Sequence, residues 1–493
     1  MKRSLAASLA ALLLLTLPLS ACVQTPADTE GTDTAEVVTI PPVTIPSEPD
    51  DRVLTDVAFY TNHLHTLFGE AAFSPAEDFT YEVSEEGTVT ITGYVGDVSA
   101  ETAETAETAV ETDAEIVVII PDTIDGMTVT AIAAGAFQDE TAIKAVSVPD
   151  TVTSIGKGAF AGCKNLTSMR TPVYTCEDAP YFGAIFGAET HEANGYNVPG
   201  ALTTLVLTAG ESIPDCAFYA CRNLKVVGLP ETLTEIGNFA FYGCQSLAYI
   251  ATADTALTRV GQNAFTNCSA LLALHIPATA QALGFAMLEG CGALESLTLP
   301  FAGGSRPISD GAADTAYLGY LFGAADYTFS AGFVPYSLIS VTLHEGCGDL
   351  PANTFFECDS VREITLPEGV TAIGHRAFYG CVYLAELTLP DSVQSIGDDA
   401  FHGCIRLTSF TGGRELTTLG VQTFMDCVSL KTVTLPDTVT HLPNSCFAGC
   451  ISLENLTANG VKTQGKQVFR HCDGLGLPWV NPECVPSESE KKS

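Results

Sequence analysis

Positive charge is scarce in this chain: 21 Lys and Arg stand against 58 Asp and Glu over 493 residues, a formal net charge of −37. Nucleic acid and anionic lipid surfaces are thereby poor partners, because like charge opposes every approach, and no nucleic acid is expected. A basic protein partner is favoured, and the same charge keeps a long exported chain soluble. Signatures of chemistry are missing as well. His191-Glu192 has no histidine three residues on, and His63-Leu64-His65 has no cysteine or carboxylate grouped at ligand spacing. There is no Gly-x-Ser-x-Gly elbow, phosphate loop, dinucleotide fingerprint or Cys-x-x-Cys. The nine histidines are scattered over unrelated positions. No enzyme, cofactor or metal is expected. Helical spacing is absent too: Gly and Pro recur at every turn, and no stretch between residues 116 and 477 keeps an apolar 3.6-residue period for three turns.

What is present is repetition. An aromatic or leucine position recurs at Phe137, Phe160, Phe218, Phe241, Phe265, Leu288, Phe355, Phe378, Phe401, Phe424, Phe447 and Phe469, mostly 23 residues apart, and six residues after each stands an aliphatic residue. The cleanest copy runs Leu384, Leu387, Leu389-Pro390, Val393, Ile396-Gly397, Ala400-Phe401-His402-Gly403-Cys404. Leu387 and Leu389 point one way and Thr388 the other, as a short strand requires. Pro390 ends that strand. The Gly397 slot, filled elsewhere by Gly156, Gly237, Gly374 and Gly420 or by Pro214, Pro351 and Pro443, marks a bend where a side chain would obstruct. A unit of this size cannot bury its apolar set alone, but stacked neighbours cover it. The expected fold is a repeat solenoid: a β-rich leucine-rich-repeat stack of about twelve 23-residue coils, with parallel strands on one face, short turns opposite and little helix.

Cysteine holds one slot per coil: Cys163, Cys221, Cys244, Cys268, Cys291, Cys358, Cys381, Cys404, Cys427, Cys450 and Cys472. Thiols in one slot point in parallel and do not face each other, which favours buried free thiols packing as small apolar groups over disulfides. Two outward files also follow from the period. Thr298, Thr342, Thr365, Thr388, Thr411, Thr434 and Thr457 share one strand slot, a candidate binding strip of hydroxyls, although Thr suits exposed strand positions for its β-branch alone. Tyr219, Tyr242, Phe356, Tyr379 and His402 follow the core aromatic by one residue. These edge aromatics serve either as anchors for a partner or as a layer packed on itself. The two long steps, near 172–203 and 301–338, share the phrase aliphatic-Phe-Gly-Ala and imply an extended coil with a loop on one side.

The combination of Leu-Pro, Ile-Gly, Ala-Phe-x-Gly-Cys and Leu resembles the bacterial leucine-rich repeats of the BspA-like type over roughly residues 116–477. That resemblance implies a surface protein engaged in adhesion to host matrix proteins or other cells, with no catalytic residues. At the amino end, Met1-Lys2-Arg3, an apolar run and Leu19-Ser20-Ala21-Cys22 read as an export signal over residues 1–22, and the phrase resembles a lipoprotein lipobox with lipid attached at Cys22. An uncleaved anchor is the other reading, but 18 residues broken by Pro18 are short for a span. Residues 23–52 read as a disordered Thr/Pro/Glu spacer. Residues 53–115 read as a cap, with a hairpin of Phe79–Val83 and Val89–Thr92 and an acidic low-complexity loop; 478–493 form a tail. The expectation is a lipid-anchored monomer exposed on a bacterial cell surface that meets a protein or glycan on another surface and touches membrane only through the lipid on Cys22. A glycan-capturing protein and a structural envelope protein without a ligand are the alternatives.

Overall fold

The computed structural model describes residues 73–96, 116–305 and 315–475. Cys22, the spacer, residues 53–72, the low-complexity stretch and the tail lie outside them. The first elements are the antiparallel pair β1 (Phe79–Val83) and β2 (Val89–Tyr94), joined at Ser84–Thr88; β2 then runs parallel to β3 (Met127–Ile132). The described residues from Ile116 to Leu475 form a parallel β-solenoid of leucine-rich repeats.

One coil illustrates the construction. Thr432–Thr434 is a three-residue strand whose middle residue, Val433, is buried while its flanking threonines are exposed. Leu435 and Val439 return inward around Pro436, and His441–Leu442 forms a second strand with Leu442 buried. Phe447, Cys450 and Leu453 then close the interior. The strand slot of successive coils pairs in parallel register, as in Thr432 with Ser409 and Asn455, and Thr434 with Thr411 and Thr457.

The side expected to hold only turns carries a second parallel ladder. Ser212–Ile213, Glu235–Ile236, Arg259–Val260 and Ala282–Leu283 pair in series, as do Ala372–Ile373, Ser395–Ile396 and Thr418–Leu419. Each strand is two residues long, enough for one inward aliphatic side chain and one outward residue. Such brevity gives no readable alternation, which is why the sequence suggests a bend there.

The third side is hydrogen-bonded as well. The N–H groups of Asp399, Phe401 and Gly403 donate to the carbonyls of Val421, Thr423 and Met425 in the next coil at 2.8–2.9 Å. This needs left-handed backbone on both sides of the aromatic. Asp399 (φ 55°) precedes Phe401 by two, Gly403 (φ 72°) follows by two, and the same pair recurs at Gln422 and Asp426 around Phe424. Glycine at the second slot relieves a Cβ clash with the backbone. Gly397 serves another purpose, since a Cβ there would lie 2.6 Å from the His375 backbone nitrogen of the previous coil. Two backbones meet at that point and leave no room for a side chain.

The interior is a spine of rings. Phe355, Phe378, Phe401, Phe424, Phe447 and Phe469 stack at centroid spacings of 5.0–5.8 Å with planes within 10°. Each pair adds on the order of 0.5–1.5 kcal/mol to the burial of the rings themselves. Beside the spine runs the cysteine slot. The thiols are buried except at Cys472, which is half-buried, and they do more than fill space: Cys404 Sγ donates to the Phe378 carbonyl at 3.2 Å, Cys427 to Phe401 at 3.0 Å and Cys450 to Phe424 at 3.0 Å. Burial pushes the Cys244 and Cys291 thiols up to about 12, leaving them protonated and inert.

Candidate functional surfaces

The threonine file forms as spaced. Thr298 pairs with Thr342 and Thr342 with Thr365, while Thr388, Thr411, Thr434 and Thr457 continue in register. Thr365 through Thr457 are exposed; Thr298 and Thr342 are half-buried. The neighbouring outward slot carries Glu363, Glu386, Ser409, Thr432 and Asn455, all exposed. Between two of these rungs, Glu363, Thr365, Glu368, Glu386, Thr388 and Asp391 line a shallow recess of about 630 Å³.

Toward the amino end the same face changes character. Ala145, Ser168, Thr204 and Val226 hold the outward slot in register, and all four are buried. His275 occupies the threonine slot one coil before Thr298. Its ring lies 4.9 Å from that of His344, whose Nε2 donates to the Ile276 carbonyl at 3.1 Å. Burial, followed by the nearby His344, lowers the His275 pKa and favours a neutral ring. Counting back one period from Thr298 reaches His275, so the signal was in the spacing.

The edge aromatics are brought together in two files, not one. Tyr219 and Tyr242 stack at 5.0 Å with planes 5° apart, and His191 of the first insertion meets Tyr219 edge-on at 5.4 Å. Phe356 and Tyr379 stack at 5.0 Å, His402 tilts against Tyr379, and Tyr327 of the second insertion meets Phe356 edge-on at 5.1 Å. Phe356 is buried and the others half-buried, which makes these files largely a self-packed layer. His402 lies 3.3 Å from Asp399 and 3.4 Å from Asp426. Burial works against its charged form, but the hydrogen bonds to Asp426 and Asp399 outweigh it and raise the pKa.

The insertions match residue for residue, Tyr181–Thr204 against Tyr317–Ser340. Each opens with a short 3-10 helix, Phe182–Phe186 or Leu318–Phe322, ended by a left-handed glycine, Gly187 or Gly323. These segments stand in for a coil on the third side: Phe160 N–H donates to the Ile185 carbonyl and Phe182 N–H to Ala217, and likewise Leu288 to Leu321 and Leu318 to Thr354. Phe182 and Phe186 also carry the ring spine across the gap from Phe160 to Phe218. Beyond these segments the tips reach solvent. Tyr196 and Tyr336 are each 84% exposed, Phe329 57% and Phe333 44%.

Among the described residues no group of three or more His, Cys, Asp or Glu is placed to hold a metal, and no helix is long and apolar enough to cross a membrane. Residues 126–179, 196–305 and 336–476 match the model of the BspA type leucine rich repeat region. No curated protein matches the chain. Among solved structures, a leucine-rich repeat protein of Bacteroides ovatus is 22% identical, with 82% of this chain and 81% of that one covered and a TM-score of 0.32. A leucine rich cell surface protein of Faecalibacterium prausnitzii is 22% identical, with 79% and 95% covered and a TM-score of 0.32. The pneumococcal vaccine antigen PcpA is 18% identical, with 85% and 95% covered and a TM-score of 0.26. Parts of both insertions, 180–195 and 306–335, fall between the matched segments.

Proposed function

The chain belongs to the BspA-type leucine-rich-repeat family, and we propose that this member is an exported protein, anchored by lipid at Cys22 on a bacterial surface, that binds another macromolecule. The observation that carries the reading is the exposed strand face from Glu363 to Thr457. Its outward residues are Thr, Ser, Asn and Glu held in register by a rigid ladder, a broad polar surface without an enclosed cleft that would gather catalytic groups. Solenoids of this kind present extended surfaces for partners. The role is adhesive and not catalytic, with a protein or glycan on another surface as partner.

Two measurements test it. Protease added to intact cells should remove the protein, and Cys22→Ser should release it into the medium; a protein that survives protease on intact cells sinks the surface assignment. The purified chain is then offered to matrix proteins and to a glycan array, alongside a Thr388→Arg/Thr411→Arg variant that blocks the face. Capture by matrix proteins that the variant loses supports adhesion. Capture by glycans alone replaces it with the glycan reading, and silence in both with an envelope defect on deletion replaces it with a structural role.

A further inference from the structure

The two insertions share a backbone, yet the first exposes one aromatic at its tip, Tyr196, where the second has Gly332, and the second exposes three. Where the first has Ala193, Asn197 and Gly200, the second has Phe329, Phe333 and Tyr336. All three of these aromatics stand in solvent, Phe329 and Phe333 four residues apart across the 3-10 turn Tyr327–Phe329 and the helical turn Ser330–Phe333. Nothing in the core requires them, since the first insertion fills the same slots with small or polar residues.

Charge differs in the same place. Beside the first insertion cations are at hand: Lys157 pairs with Glu189 at 2.6 Å, and Arg222 stands four residues after Phe218. Beside the second, the slot of Arg222 is Asp359 and the slot of Ala220 is Glu357. From 315 to 361 there is no Lys or Arg at all, and among the described residues neither Glu357 nor Asp359 makes an ion pair or side-chain hydrogen bond. Tyr327 packs on Phe356, the residue before Glu357, which sets the start of the insertion's tip against the coil that carries the two carboxylates.

We propose that the second insertion, with Phe329, Phe333, Tyr336, Glu357 and Asp359, is a docking surface for a basic, arginine-bearing polypeptide segment. Exposed rings offer faces to guanidinium groups, and two half-buried carboxylates that pair with no cation among the described residues supply the charge that fixes them. Arginine fits better than lysine because its planar group stacks and pairs at once. The inference rests on the partner of the proposed function being a protein, and it names the contact by which that protein is held.

The test uses the full chain and a fluorescent twelve-residue peptide of alternating Arg and Gly, with the citrulline and lysine counterparts, titrated at several salt concentrations. The arginine peptide should bind, the lysine peptide several-fold more weakly and the citrulline peptide not at all. Phe329→Ser/Phe333→Ser and Glu357→Gln/Asp359→Asn should each weaken binding about tenfold. Tyr336→Ser is wholly on the surface and guards against a misfolded variant; it should cost several-fold. Glu363→Gln/Glu386→Gln removes as much charge from the strand face and should change binding less than twofold. Equal weakening by that control reduces the effect to bulk attraction and overturns the proposal. So does tighter binding of a neutral oligosaccharide to the same residues, or a self-association that Phe329→Ser/Phe333→Ser abolishes. Protection of the protein on intact cells would defeat the surface assignment and leave this binding measurement unchanged, so the two failures are separable.

Discussion

The two insertions, laid over one another, separate what the solenoid demands from what it leaves free. Inward positions keep their kind: Phe182 and Leu318, Ile185 and Leu321, Phe186 and Phe322, with Gly187 and Gly323 closing each turn. Outward positions do not. Between those extremes lies one buried pair in which the halves diverge. Asn194 accepts from the Gly183 N–H at 2.9 Å and donates to the Ala217 carbonyl at 3.1 Å, whereas Ser330 in the same slot has a buried hydroxyl with no partner. Backbone bonds tie both insertions into the stack, and the first adds a buried side-chain tie through Asn194 that the second lacks.

The sharpest test of that difference is the ring spine. Phe182→Ala removes a wholly buried ring that links Phe186 to Phe218, at a cost of about 3–5 kcal/mol, more than Leu318→Ala at about 2–4; denaturant midpoints of the two variants measure both. Equal losses would mean that the spine gains nothing from continuity across the first gap. Next comes the polar tie. Asn194→Ala should cost about 1–2 kcal/mol by stranding the buried Gly183 N–H, the Ala217 carbonyl keeping its bond from the Phe182 N–H, while Ser330→Ala should be neutral or slightly stabilising in thermal melts.

Charge gives the third contrast. Burial, then the charge of Glu357, raises the Asp359 carboxyl from 3.8 to about 6. The folded chain therefore holds that proton more tightly than the unfolded one. Stability from this group is present in full below its ordinary value and is lost as pH climbs through about 6. Asp359→Asn should raise the melting temperature at pH 7.5, on the order of 1 kcal/mol for a carboxyl half in water, and should have no benefit at pH 4. Glu189→Gln beside the first insertion should leave melting unchanged at both.

The smallest effect concerns the thiols. Cys404 bonds to the coil before it, but Cys221 and Cys358, which follow the insertions, make no such bond. Cys404→Ala should be worse than Cys221→Ala by roughly 0.5–1 kcal/mol, the worth of a modest hydrogen bond. Matching losses would show that the thiol acts by volume alone.

Much of this was legible in the residues, and the reasons for the rest are physical. A repeated period places residues in slots, so the threonine file and its register could be read by counting. The second ladder could not, because two-residue strands leave a single apolar residue each and look like a bend. Slot counting also grouped Tyr219, Tyr242, Phe356, Tyr379 and His402 as one file. The insertions divide them, and His191 and Tyr327, which head the two stacks, belong to no coil. The shared phrase of the insertions implied an extended coil with a loop on one side; Phe182 and Phe322 of that phrase are buried, while Phe329 and Phe333 beyond it are exposed. Nothing in a hydrophobic letter says which side of a short turn it will face.

Because neighbouring coils are joined on three sides, a pull along the axis loads all three seams together, and no seam can open far without the others. Yielding would then proceed one coil at a time from an end. Each lost coil would release about 23 residues of slack, roughly 80 Å of extended chain. In the adhesive role proposed above, a tether that lengthens in such steps would keep its grip under shear where a stiff one would break.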